Sequence, residues 1–373
     1  MPEKELGRIH GEEMTLNIGP QHPSTHGVLR LKVKTDGEII TEITPYMGYL
    51  HRCFEKHCEN LTYEQAIPYT DRCDYIGSMN NNFGYALAIE QLMEIKVSDK
   101  VEHIRIIVSE MNRIASHLLA IGVFGLDVGA FTPFLYCFRD RERILDLFEM
   151  LCGARITLSY MRPGGVFFDA PDDFWPALDQ FLEDFDIEFE ELERLILENE
   201  IVMVRTRGVS VLPLDLAINA SVSGPSLRAS GSDWDWRKKA PYDAYDRMDF
   251  EVPTATGGDN YDRFWVRMQE IRQSIRIVRQ CVEQIEPGAT RAEVPLILRP
   301  KPGTESYGRV EASKGELAFY VVSDGGISPY RMKVRSPSLI NLTVTEHLLV
   351  GWKLSDMIVT LGSLDINMGE VDR

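Results

Sequence analysis

An α+β fold follows from three features of the 373-residue chain. Period-two alternation near the N-terminus marks a small antiparallel sheet, helix-period apolar stripes mark a central bundle, and strand patterns return near the C-terminus. The expected divisions are an N-terminal extension (1–13), an N-terminal β domain (14–60), a helical bundle (61–290) and a C-terminal α+β segment (291–373).

Residues 28–33 alternate apolar and polar, Thr35-Asp36-Gly37-Glu38 reads as a turn, and 39–44 continues the pattern. With residues 14–18 these make the small sheet. Its first two strands are joined by Gly19-Pro20-Gln21-His22-Pro23-Ser24-Thr25-His26-Gly27, stiffened by two prolines. Ser98 or Asp99 caps a helix striped by Val101, Ile104, Val108, Met111, Ala115 and Leu118. A second helix is expected over 139–160, ending before Pro163-Gly164-Gly165. A third begins near Pro171 and carries Phe174, Leu178, Phe181, Phe185 and Phe189. A fourth runs through Phe264, Met268, Ile271, Ile275 and Val278 and stops at Pro287-Gly288. Residues 205–262 read as loop-rich, 287–303 as a Pro-rich linker or arm, and 315–322 and 331–334 as strands.

With 40 basic and 57 acidic side chains the net charge is −17, which argues against nucleic acid or an anionic membrane as a partner for a broad basic face. No apolar run reaches the roughly 18–20 residues of a membrane span. No apolar signal segment opens the chain. The six cysteines form no CxxC pair, as suits a reducing compartment. P-loop, GxGxxG, GxSxG and HExxH patterns are absent.

Four places carry candidate chemistry. His22 and His26 sit in the stiff loop, where two surface histidines are the plain alternative. His51-Arg52-Cys53-Phe54-Glu55-Lys56-His57-Cys58 lacks the separated ligand pairs of a structural zinc site, so no metal is expected there. Asp71-Arg72-Cys73-Asp74-Tyr75 precedes a helix, and its carboxylates could be simple caps. Asp127 interrupts an apolar stretch and needs a partner, either a histidine or a helix end.

The string from Gly19 to Arg30 closely resembles the start of the quinone-site D subunit of respiratory complex I, NADH:quinone oxidoreductase, a family related to nickel–iron hydrogenase large subunits. The resemblance continues through Gly48-Tyr49-Leu50-His51-Arg52, Thr132-Pro133-Phe134, Arg162-Pro163-Gly164-Gly165-Val166 and Ser226-Leu227-Arg228-Ala229-Ser230-Gly231. It extends through Ser323-Asp324-Gly325-Gly326 and Pro329-Tyr330-Arg331 to the closing Met368-Gly369-Glu370-Val371-Asp372-Arg373. It implies that His26 and Tyr75 hydrogen-bond the quinone head and that Asp127 is the carboxylate linked to that histidine. Arg52 and Arg72 would lie beside a terminal [4Fe–4S] cluster held by the B subunit, since this chain offers no cluster-binding cysteine run. The plain alternative for these arginines is a salt bridge to Glu55 or Asp71. Further implied partners are the C and I subunits of the peripheral arm and the H and A membrane subunits. The implied location is peripheral, on the cytoplasmic side of the plasma membrane, and the implied work is proton-coupled quinone reduction linked to proton pumping.

Hydrogenase large subunits hold their metals with two CxxC pairs. The equivalents here resemble Arg72-Cys73-Asp74-Tyr75 and Asp365-Ile366-Asn367-Met368-Gly369-Glu370, which keep at most one thiolate and could not hold a metal that needs soft sulfur. That sets a membrane-bound hydrogenase subunit behind the quinone reading; a purely structural assembly subunit is the other alternative. Two positions depart from the family pattern. Cys53 stands where it has glycine, and Thr157 stands where many members have a histidine tied to the pH dependence of the cluster potential.

Overall fold

The computed structural model describes residues 13–20 and 27–373. Strands β1 (Glu13–Ile18), β2 (Arg30–Asp36) and β3 (Ile39–Tyr46) form an antiparallel sheet in that order. Leu31, Val33, Ile40 and Ile43 are buried, while Lys32, Lys34 and Glu42 point away from that face. The alternation read from the sequence is therefore the pleat of a sheet with one wet face. His22 and His26 lie outside the described residues.

Single-turn helices α1 (Phe54–Cys58) and α2 (Ile67–Asp71) lead into α3 (Ser78–Met93), α4 (Asp99–Asp127) and α5 (Phe131–Cys152). Ser98 caps α4, its Oγ accepting from Val101 N. α4 is the axle of the bundle, packed by α3 and α5 and, from later in the chain, by the helices Asn260–Gln284 and Leu354–Leu364. With 29 residues it is long and apolar enough for a membrane span, contrary to expectation, but almost all of its apolar length is buried within the fold. Its charged Glu110 and Arg113 are buried too, each with hydrogen-bonding partners.

α5 begins and ends eight residues earlier than the stripe implied. Pro133 sits in its first turn, where a missing N–H costs nothing. Gly153 ends it in the left-handed region (φ 72°), with its N–H on Glu149 O at 2.8 Å. A tight hairpin of β4 (Met161–Arg162) and β5 (Gly165–Val166) follows. Next come α6 (Phe174–Leu197) and α7 (Glu200–Thr206). The loop-rich stretch contains three short α-helices, α8 (Leu214–Asn219), α9 (Pro225–Ala229) and α10 (Trp236–Lys239), and a 3-10 helix (Asp243–Arg247) before α11 (Asn260–Gln284). The Pro-rich arm runs beside the hairpin, where Val166 N donates to Thr290 O and Ala292 N to Gly164 O.

A second antiparallel sheet comprises β6 (Glu305–Ala312), β7 (Gly315–Val322) and β8 (Arg331–Arg335). α3 lies directly on it. A Cβ at Gly308 would come within 2.4 Å of Ala88 N, so only glycine permits this approach. The chain closes with α12 (Pro337–Leu342), α13 (Thr345–Leu349), α14 (Leu354–Leu364) and α15 (Met368–Asp372). The C-terminal helices bury Leu348, Leu361, Leu364 and Met368 against Leu31, Val33 and Ile43 of the N-terminal sheet. The N-terminal sheet and the C-terminal helices thus share one apolar core, distinct from that of the bundle.

Candidate functional site

The union of the chain ends builds the site. The Asp372 carboxylate accepts from Gly48 N at 2.8 Å and Leu50 N at 2.7 Å, and Asp372 O lies 2.7 Å from His51 Nδ1. These bonds fasten the loop carrying Leu50 and Arg52 to the C-terminal helix. Gly369 packs so closely on the α2–α3 connection that a Cβ would sit 2.8 Å from Cys73 O. The two segments compared with hydrogenase CxxC pairs therefore meet in space.

Between them lies a cavity of about 160 Å³, mostly apolar, lined by Leu50, Phe54, Tyr69 and Tyr75 and bordered by Arg52, Arg72 and Arg373. Three of the residues singled out from the sequence, Arg52, Arg72 and Tyr75, thus share one pocket. An apolar cavity of roughly this size accepts a benzene-sized ring. Tyr75 is 42% exposed, and no hydrogen bond to another described residue ties its hydroxyl down. Partial burial, then the neighbouring Asp74 carboxylate, push its pKa up, so the phenol keeps its proton at rest.

The arginines answer the salt-bridge alternative differently. Glu55 is taken by Lys333 at 3.0 Å, whereas Arg72 lies 3.8 Å from Asp71 and donates to Pro68 O at 2.6 Å. Both guanidinium groups remain exposed. Asp71 is buried on Asn82 and Ser159, and its carboxyl is pushed up to about 6 by burial, against the pull of those donors. Cys53 has φ 53°, a left-handed conformation that explains why glycine would sit there easily. In the rest of that segment, His57 stacks on Tyr69, and the Cys58 thiol is buried and pushed up to about 12 by desolvation.

Asp127 closes α4 and does not line the main cavity. One turn earlier on the same helix, Val123 lines a second, smaller cavity that also touches Tyr75. Behind Tyr75 lies a group that reasoning from the sequence missed. Lys314 Nζ reaches Asp74 Oδ2 at 3.0 Å, Asn367 Nδ2 donates to Asp74 Oδ1 at 2.6 Å, and Glu370 Oε1 accepts from Ser338 N at 3.0 Å. Asp74 thus does more than cap a turn. The only sequence signal was indirect: Asp74, Asp365 and Glu370 all fall in the segments compared with the hydrogenase metal ligands.

The model of the family described as "Respiratory-chain NADH dehydrogenase, 49 Kd subunit" matches residues 127–304 and 299–373. The chain is 52% identical over 366 residues to the D subunit of NADH-quinone oxidoreductase from Dehalococcoides mccartyi, covering 98% of this chain and 100% of that one. It is 50% identical over 381 residues to the protein of that name from Chlorobium luteolum, covering 100% of this chain and 95% of that one. A third relative of the same name, from Desulforamulus reducens, is 49% identical over 364 residues, with 98% and 99% coverage.

Proposed function

We propose that this chain, which belongs to the 49 kDa family (the D subunits) of respiratory NADH:quinone oxidoreductase, forms the quinone-reduction site of that enzyme with a cluster-bearing partner. The observation that carries the reading is the meeting of Tyr75, Arg52 and Arg72 on one ring-sized apolar cavity. Reduction of a quinone to a quinol takes two electrons and two protons. A [4Fe–4S] cluster on the B subunit would supply the electrons. The chain's part is to bind the ring, exclude water and aim donors at carbonyl oxygens that turn negative. Tyr75 donates to one oxygen. His26 donates to the other, and Asp127 supports the charge on its imidazole. Arg52 and Arg72 face the partner, where a guanidinium stabilises the reduced cluster and raises its potential. The C and I subunits flank the chain in the peripheral arm, and the loop around His26 meets the H and A membrane subunits on the cytoplasmic side. Quinone reduction at this site is coupled to proton pumping.

The segments that would carry a hydrogenase metal offer one thiol, Cys73, among carboxylates, an amide and the Lys314 ammonium. This donor set suits hard chemistry and not nickel–iron. A photoreactive short-chain quinone, illuminated in the assembled enzyme, is expected to label residues 50–75, and excess quinone should suppress the labelling. Labelling confined to other subunits would overturn the reading.

Thr157 gives a second test. It sits at φ 56°, and its Oγ1 donates to Ile156 O at 2.6 Å. No imidazole stands there to titrate between about pH 5 and 8. The potential of the partner's cluster should therefore change little with pH across that range. A redox titration showing it falling steeply would contradict the placement of Thr157 beside the cluster.

A further inference from the structure

Behind Tyr75, on the side away from the main cavity, lies a space of about 20 Å³ lined by Tyr75, Lys314, Asp365 and Asn367. A single water needs roughly 10–15 Å³ of such space and two to four polar partners, and the walls supply both. Asp365 is only 8% exposed, and its Oδ2 makes no hydrogen bond among the described residues; Arg267 Nε is 3.9 Å away. Its backbone is held at φ 54°, a conformation that a non-glycine residue adopts at a cost of about 1–3 kcal/mol. An unsatisfied, strained carboxylate on the wall of a water-sized space calls for an occupant.

Two of its walls, Lys314 and Asp365, belong to one buried set with Asp74 and Glu370. Asp74 comes from the turn before α3, Lys314 from the β6–β7 turn, Asp365 from the end of α14 and Glu370 from α15, with Ser338 of α12 donating to Glu370. Cys73 lies near both Glu370 and Arg373. Three carboxyl groups face one ammonium and, on the Asp365 side, the Arg267 guanidinium. Burial first, and the Asp74 charge second, push the Glu370 carboxyl up to about 8, against the pull of Lys314 and Ser338. Glu370 therefore holds a proton at neutral pH and releases it as the pH rises through that value.

We propose that the Asp74–Lys314–Asp365–Glu370 cluster is an internal proton store that reprotonates Tyr75 through a water held in the second cavity. The proposal rests on the quinone-site reading above and adds to it the source of the proton. When Tyr75 gives its proton to the reduced quinone, a phenolate remains. The cavity water delivers a proton to the phenolate oxygen and takes one from Lys314; the deficit passes through the cluster, where Asn367 joins Asp74 to Ser338 and Ser338 joins Glu370, and Glu370 gives up its proton. One O–H bond breaks at Glu370 and one forms at Tyr75. No electron moves in this step, and the Glu370 carboxylate later takes a proton from solvent. Glu370 and Asp365 act through Tyr75 and do not touch the quinone.

The test uses the assembled enzyme carrying Glu370→Gln or Asp365→Asn. Glutamine matches the neutral form of Glu370 and keeps an acceptor for Ser338 N, so folding is preserved. Both variants should lower kcat about tenfold with the quinone KM unchanged, less than the roughly 100-fold or more lost with a proton donor at the reacting atoms. The wild-type rate should fall as pH rises through the Glu370 value, and Glu370→Gln should abolish that limb. A merely structural role would leave the pH profile unmoved. Wild-type kcat together with a wild-type alkaline limb in Glu370→Gln would overturn the store. Tyr75→Phe measured in parallel separates the two failures. If it is slow while Glu370→Gln is normal, only the store falls; if Tyr75→Phe is itself normal, the quinone-site reading fails and the store with it.

Discussion

Tyr75→Phe should cut quinone reduction by the assembled enzyme at least about 100-fold, the usual worth of a positioned proton donor, while reduction of the enzyme's iron–sulfur clusters by NADH stays normal. The phenylalanine ring keeps the apolar wall next to Leu50 and Phe54 and removes only the hydroxyl. The cavity should therefore still bind the ring, and the loss should fall on kcat more than on KM. The substitution strands no partner, because the Tyr75 hydroxyl makes no hydrogen bond with another described residue. A stability effect should accordingly be small, which keeps the kinetic result clean. Rapid-mixing spectra of the clusters and steady-state quinol formation are the two measurements. Unchanged quinone kinetics would refute the role of Tyr75. Loss of cluster reduction together with quinone reduction would point to an assembly role for this face of the chain.

The parts of this architecture that could be read from sequence are those with a clean period. Residues 31–43 alternate because one face of the sheet lies on a core, and Gly315–Val322 falls where its pattern placed it. α6 and α11 follow their aromatic and aliphatic stripes. β6 was hidden because Glu305, Gly308, Arg309 and Glu311 interrupt any alternation; Gly308 is there for contact with α3, and Glu311 for buried arginines. The ends of α5 were misplaced because Gly153, a single residue in the left-handed region, outweighs the later Pro163-Gly164 signal. The shared cavity of Arg52, Arg72 and Tyr75 was legible only through the family resemblance, since the spacing of these residues gives no period. Lys314 was not legible at all. It lies in the turn Ser313-Lys314-Gly315, which looks like an ordinary exposed hairpin tip, yet it is 2% exposed. Its burial follows from the docking of distant segments, Asp74 being 240 positions away.

Burial imposed by distant segments also governs Arg228, in the loop-rich stretch, where replacement by methionine should cost about 3–5 kcal/mol of stability. The guanidinium is fully buried. Its Nε donates to Glu270 Oε1 at 2.8 Å, and its Nη1 donates to Glu311 Oε1 at 2.8 Å and Trp234 O at 3.0 Å. Glu270 also binds His117 Nε2 at 2.9 Å. Burial alone would raise the Glu270 carboxyl, but Arg228, then His117 and Arg113, hold it well below the usual carboxylate range. Glu270→Gln alone removes the charge and one of the two carboxylate oxygens that Arg228 and His117 use. Arg228→Met instead leaves Glu270 and Glu311 as buried carboxylates that have lost their main counter-charge. A methionine fills much of the volume, so the cost is electrostatic and should depend on pH. In the wild type the stability supplied by Glu270 is present above its unfolded value, about 4.3, and is lost as pH falls below it. In Arg228→Met the Glu270 carboxyl is raised instead, and that of Glu311, which burial already raises in the wild type, is raised further, so the deficit should be largest near neutrality and shrink toward pH 4 as they protonate. Adding Glu270→Gln and Glu311→Gln to Arg228→Met should restore part of the loss, because an apolar or neutral set is tolerated where a broken ion pair is not. Denaturant unfolding across that pH range measures both effects. A deficit below about 0.5 kcal/mol, the scatter of an ordinary surface change, would mean that water reaches these carboxylates and that the core between α4, α11 and β6 is less dry than its packing implies.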